Sequence, residues 1–176
     1  MKAAMYQGKK KIKIVDIPKP TPKKGEVLVQ VKYTGICGSD LEGYKTGLYP
    51  DNVIMGHEIM GYVSESGLGV NKWKNGDRVA VNPGISCGKC YYCQNGQDNL
   101  CSHGGSLGFG QNGGFAEYIV IKEENLSKIP NDIPDKYGTV FDQIATAILA
   151  LRESNFTSES YSVILGCGTM GLFLLQ

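Results

Sequence analysis

Along most of the first 130 residues hydrophobic positions alternate with polar ones over short runs, and the alternation predicts strands. Residues 3–6 and 12–15 make a first pair. Val27, Val29, Val31 and Tyr33 then alternate with Gln30 and Lys32 in the register of a half-buried strand. Pro18, Pro20 and Pro22 separate that strand from the first pair and read as a surface connection, because proline cannot donate to a ladder. Between Ser39 and Pro50 the residues Leu41, Glu42, Tyr44 and Tyr49 sit among glycines, consistent with a short helix and a loop. Further strands are predicted over 59–64, 78–82 and 116–121, entered through turns such as Gly76-Asp77 and Gly113-Gly114. So many short strands, with 24 glycines, predict a mainly β chain closing into a compact barrel.

The period then changes. From about Pro134 to Arg152 the pattern is helical, with Asn131 or Asp132 as the candidate cap and Pro134 in the first turn. Residues 161–165 form a short apolar run that leads into Gly166-Cys167-Gly168-Thr169-Met170-Gly171 and then into apolar residues 172–175. A strand, a GxGxxG and a helix start are the opening of a dinucleotide-binding βαβ unit, with a plain glycine-rich turn as the alternative.

At 176 residues, 41% hydrophobic and 20% charged, the chain has material for one domain and part of another. The expected boundary falls between residues 155 and 156. A net charge of +1 supplies no drive toward nucleic acid or an anionic membrane, and Lys9, Lys10, Lys11 and Lys13 read as a solvated hairpin tip. No apolar run approaches the roughly 18 residues of a membrane span. Residues 1–6 lack the apolar core of a signal peptide. Four of the six cysteines crowd between 87 and 101, which favours metal ligation in a reducing compartment, so cytoplasm is expected.

Cys87, Cys90, Cys93 and Cys101 are enough to close a tetrahedral zinc site with no open position, a structural arrangement. Disulfides or a redox pair are the alternatives. A nucleic-acid-binding zinc ribbon is disfavoured, since the intervening Tyr91, Tyr92, Gln94, Asn95 and Asp98 are not basic. A second, incomplete set is suggested by Cys37 and His57, with Glu58 as a further candidate. Taken singly, each would be an ordinary buried cysteine or core histidine. Together, a thiolate and an imidazole are zinc-like ligands, and an unfilled set is what a catalytic zinc requires.

Gly56-His57-Glu58-x-x-Gly61-x5-Gly67-x-x-Val70 resembles the signature of the zinc-dependent medium-chain alcohol and polyol dehydrogenases. Cys37-Gly38-Ser39-Asp40, the four-cysteine stretch, Gly113-Gly114-Phe115-Ala116-Glu117-Tyr118 and the terminal GxGxxG follow in that family's order. The resemblance covers the whole chain but only the first half of a family member. It implies a GroES-like catalytic domain over 1–155 and the truncated start of a Rossmann domain over 156–176, within a longer homo-oligomeric protein, a dimer or tetramer. It implies two zinc ions: one held by Cys37, His57 and a further ligand, with Glu58 close enough to bind it directly or through water, the other by the four cysteines. Ser39 matches the hydroxyl that takes the proton of a small alcohol or polyol, and Gly166, Gly168 and Gly171 match the turn that holds NAD or NADP. At Glu42 several relatives carry a relay histidine, so the outer proton path departs from theirs.

The further ligand is expected at Asp142. On a helical wheel over 141–151 the side chains are apolar nearly all round, as in a buried helix, except that Asp142, Gln143 and Thr146 share one sector. That sector faces either water or a polar cleft. The resemblance favours the cleft, because Phe141-Asp142 stands where threonine dehydrogenase relatives have a Phe-Asp pair and sorbitol dehydrogenase relatives a ligating glutamate. The activity implied is NAD(P)-linked oxidation of a secondary alcohol or polyol. A related aldehyde reductase and a non-catalytic zinc-stabilised scaffold are the alternatives.

Overall fold

Val27, Leu28 and Val29 are all fully buried, although strict alternation would turn Leu28 outward. They lie in the longest strand of a computed structural model that describes all 176 residues. In chain order the elements up to residue 139 are β1 (Lys2–Tyr6), β2 (Ile12–Asp16), β3 (Glu26–Gly35), α1 (Gly38–Thr46), β4 (Glu58–Ser66), β5 (Arg78–Val81), β6 (Gly84–Ile85), α2 (Tyr91–Gln94), β7 (Gly105–Ser106), β8 (Tyr118–Lys122) and β9 (Leu126–Lys128). The principal sheet runs β8-β3-β4-β5-β9, antiparallel throughout, with β1-β2 and β6-β7 as separate two-stranded ribbons. Isolated bridges from Ala3 to Ala116 and from Met5 to Ile54 tie β1 to the rest.

Two departures from alternation in β3 share a cause. Its register against β4 shifts between Leu28 and Val29 and again between Val31 and Tyr33, and after the second shift Tyr33 is exposed rather than half-buried. Such irregularities bend a strand and re-aim the side chains beyond them. The main core gathers Val29, Ile59, Val63, Val79 and Ile119 around Trp73, the only tryptophan. A second cluster of Tyr6, Tyr49, Val53 and Met55, flanked by Tyr44 and Phe115, is the support on which the candidate site rests.

By contact density the chain forms two compact units, Met1–Thr139 and Val140–Gln176. The helix expected from Pro134 onward is in fact two pieces. Asp135–Val140 winds as a 3-10 turn, and the α-helix proper, α3 (Phe141–Glu153), begins only at Phe141. Arg78 accounts for the turn: its guanidinium donates to the carbonyls of Pro130 and Ile133 and, at 2.8 and 3.0 Å, to Asp135 Oδ1, while the Tyr62 hydroxyl donates to Asp135 Oδ2. In the second unit α4 (Thr169–Leu175) packs on α3. Residues 161–165 are not a strand, because no strand pairs with them. Nor is α3 buried all round: only Ala147 is, with Ile148 and Leu149 exposed. An apolar pattern announces faces that want cover and does not supply it.

The clamp on Asp135 has a pH signature. The Tyr62 hydroxyl first, then the Arg78 guanidinium, hold the Asp135 carboxyl below the usual carboxylate range. Its contribution is present above the unfolded value near pH 4 and is lost as pH falls through the depressed folded value. Acid unfolding followed by Trp73 fluorescence is expected to show this loss below about pH 4. Asp135→Asn should flatten that limb of the stability profile. An unchanged slope would remove the carboxylate from the acid response.

Candidate metal centres

The first centre is assembled by local geometry. Cys90 stands at the start of α2, and Cys101 follows the 3-10 turn Asp98–Leu100. The sulfurs of Cys87 and Cys93 are 4.0 Å apart, those of Cys90 and Cys93 3.5 Å, and those of Cys90 and Cys101 3.8 Å. A tetrahedron of Zn–S bonds of about 2.3 Å has edges of about 3.8 Å, so the four sulfurs fit that ion. The spacing excludes disulfides, whose sulfurs lie at about 2.05 Å, and all six cysteines are free thiols. The backbone N–H of Cys93 draws the Cys90 thiol down to about 5, whereas desolvation and the adjacent thiols push Cys93 up to about 12. No residue from Asn82 to Ser106 is fully buried, so this lobe has no apolar core of its own.

The second centre lies where β3, α1 and β4 converge. Cys37 caps α1; Gly35, the last residue of β3, pairs with Glu58, the first of β4; and His57 immediately precedes that strand. One ligand atom each from Cys37, His57 and Glu58 falls within 4.8 Å of the others. At Gly35 an added Cβ would sit 2.0 Å from Glu58 Oε2, so a side chain there would displace that carboxylate. Gly56 is equally constrained: its φ is +87°, and the Phe115 ring occupies the place of a side chain. Glu58 is buried and His57 nearly so, while Ser39, two residues beyond Cys37, and Glu42 are exposed.

Behind the ligands stands Asp40, 2% exposed, whose place among functional residues the sequence reading missed. Its Oδ2 accepts the backbone N–H of Cys37 at 2.9 Å, its Oδ1 accepts the Tyr49 hydroxyl at 3.3 Å, and the same Oδ1 lies 3.7 Å from His57 Nδ1. The available signal was the spacing of Cys37 and Asp40 at a helix start, in which the third helical residue reaches back to the cap. Burial first, and the Asp40 carboxylate second, push the Tyr49 hydroxyl up to about 12, with the Ser39 hydroxyl acting in the opposite direction.

The remaining expected site residues belong to the second unit. Asp142 lies half-buried in the first turn of α3, where Thr146 Oγ1 donates to its backbone carbonyl at 3.0 Å. Gly166 has φ +112°, Gly168 caps α4, and a Cβ on Gly171 would meet the Gly166 carbonyl at 2.0 Å. The first and third glycines of the motif are thus required by the turn itself.

Residues 23–131 match the alcohol dehydrogenase GroES-like domain. A sorbitol dehydrogenase from Halalkalibacterium halodurans is 40% identical over 90% of this chain and 47% of its own length. An L-threonine 3-dehydrogenase from Pyrococcus horikoshii is 39% identical over 90% of this chain and 46% of its own. A crystal structure from Escherichia coli CFT073, described as a short chain alcohol dehydrogenase complexed with NADH, superposes with a TM-score of 0.94 at 36% identity, covering 99% of this chain and 52% of that one. The chain therefore spans about half the length of the relatives it matches. Taken with a GroES-like match over most of its length, two separate ligand clusters and a glycine turn, these likenesses establish that the chain belongs to the zinc-dependent medium-chain alcohol and polyol dehydrogenase family.

Proposed function

We propose that this chain is the catalytic part, over 1–155, and the opening of the nucleotide-binding part, over 156–176, of a dehydrogenase that moves hydride between a secondary alcohol or polyol and NAD or NADP. The observation that carries this reading is the contrast between the two clusters: four thiols closed on themselves, and three unlike ligands beside an exposed hydroxyl. Two zinc ions are assigned, the closed set holding one for stability and Cys37, His57, Glu58 and Asp142 holding the other. The second ion supplies Lewis acidity that lowers the pKa of a substrate hydroxyl. A carboxylate in place of a thiolate makes it harder and suited to substrates with neighbouring oxygens.

The chain's own residues divide the remaining work. Ser39 accepts the substrate proton as hydride departs for the nicotinamide. Glu42, three residues along α1 and exposed, stands on the neighbouring helical position and passes that proton to water. Asp40, 3.7 Å from His57 Nδ1, stands behind the histidine ligand. Gly166, Gly168 and Gly171 let the pyrophosphate approach the backbone at the start of α4. The full-length protein acts as a homo-oligomer.

Elemental analysis is expected to find two zinc ions per chain, and one alone would overturn the assignment. In full-length protein, Asp142→Asn should lose the second zinc or most turnover on a panel of polyols and secondary alcohols, with the four-cysteine zinc retained. Unchanged zinc content and unchanged turnover would return Asp142 to the solvated surface.

A further inference from the structure

Lysines stand at 9, 10, 11 and 13, at or beside the turn from β1 to β2, and that turn is not the free tip its composition suggests. It is stapled to α1. The Lys10 N–H donates to the Tyr44 carbonyl at 2.8 Å, and the Tyr44 hydroxyl donates back to the Lys10 carbonyl at 3.0 Å. Within the turn the Lys11 N–H donates to the Gly8 carbonyl and the Gln7 N–H to the Lys11 carbonyl, both at 2.9 Å. Lys10 is held at φ +58°, a conformation that a residue with a side chain adopts only when its surroundings impose it.

The staple closes one side of a cavity of about 470 Å³, within the range of about 300–1,000 Å³ found for small-molecule sites. Ile12, Ile36, Leu41, Met55 and Phe115 line it, with Lys10 and Lys11 as its only cations. Ile36 is 67% exposed, Leu41 49% and Ile12 45%, so apolar surface from β2, the β3–α1 connection and α1 meets uncovered in one place. Asp40 is the one acid in the lining, and both of its oxygens are engaged, Oδ2 by the Cys37 N–H and Oδ1 by the Tyr49 hydroxyl. An apolar wall alone would take any apolar body, whereas a wall edged by two ammonium groups selects one with an anionic end. We propose that this cavity binds an amphiphilic anion, a small molecule whose apolar body lies against Ile12, Ile36 and Leu41 and whose single terminal carboxylate or phosphate pairs with Lys10 and Lys11. The staple holds the two lysine backbones in place beforehand, which lowers the cost of ordering them around a ligand. None of Cys37, Ser39, His57 and Glu58 lines the cavity, so the site stands apart from the dehydrogenase reading.

The test is binding to the full-length protein without nicotinamide, read from the methyl resonances of Ile12, Ile36 and Leu41, with octanoate and octyl phosphate as probes and octanamide as the uncharged comparison. Both anions should shift those methyls and bind more tightly than octanamide, and the tighter of the two identifies the terminal group. Both lysines are exposed, so Lys10→Gln combined with Lys11→Gln should weaken the anions about 10-fold, what two exposed charge pairs supply together, and leave octanamide unchanged. Added salt should reproduce that loss in the wild type. Lys9→Gln combined with Lys13→Gln removes the same charge from the same hairpin outside the lining, and should change anion binding by no more than about 2-fold. Ile12→Ser should weaken all three probes. Equal binding of octanoate and octanamide, no shift of the three methyls, or an equal loss in the Lys9 and Lys13 variant overturns the proposal. A protein that oxidises no alcohol yet shows the anion preference supports it and faults the proposed activity alone.

Discussion

His57→Ala in the full-length protein is expected to reduce zinc content from two ions to one and to abolish turnover while the fold survives. In the proposed centre the imidazole is one of three clustered ligands, and outer-shell losses alone cost 10- to 100-fold in metal affinity, so loss of a direct ligand should cost on the order of 100-fold or more. The structural penalty is ordinary by comparison, about 1–3 kcal/mol for a largely buried polar side chain. Metal analysis, turnover and a thermal melt read by Trp73 separate the two effects. Retention of both zinc ions, or of turnover, would defeat the assignment of His57.

Cys93→Ser is expected to behave in the opposite way. The stretch from Asn82 to Ser106 has no fully buried side chain, so its order is expected to depend on the four sulfurs and the ion they are proposed to hold. Structural zinc contributes about 10 to 16 kcal/mol of apparent binding free energy in small peptides, more than the whole stability of a typical domain. Replacing one thiolate by a hydroxyl should therefore open the lobe to protease and promote aggregation, while Trp73, in the main core, reports an intact sheet. A lobe as resistant to protease as the wild type, with its zinc gone, would show that backbone hydrogen bonds hold it unaided.

The difference between these two sites also explains what was legible in the sequence. The four-cysteine centre is written in spacing alone, since Cys87, Cys90, Cys93 and Cys101 lie close enough in the chain for local turns to bring them together. The second cluster showed three of its members, because Cys37 and His57-Glu58 stand in recognisable contexts, yet it concealed its support. Asp40 was visible as a letter but not as the carboxylate behind His57, and Tyr49 had no signal, since its link to Asp40 depends on how α1 and the following loop fold back. Periodicity failed where pairing or cover comes from elsewhere. Tyr33 is exposed because a register shift lies before it, residues 161–165 have no ladder partner, and the 3-10 turn before α3 answers to Arg78, more than fifty residues earlier.

The pairing of Gly35 with Glu58 would give a metal at the second cluster a second use. That rung is the last of the β3–β4 ladder, reached only after the two shifts at Leu28/Val29 and Val31/Tyr33. A slip of one residue in either strand would turn Glu58 to the opposite face and carry it away from Cys37. The four-cysteine lobe, with its own local turns, would still load. If the second cluster holds an ion as proposed, a chain that has taken it up has had its strand register proofread, and a population holding a single zinc would contain the misaligned molecules.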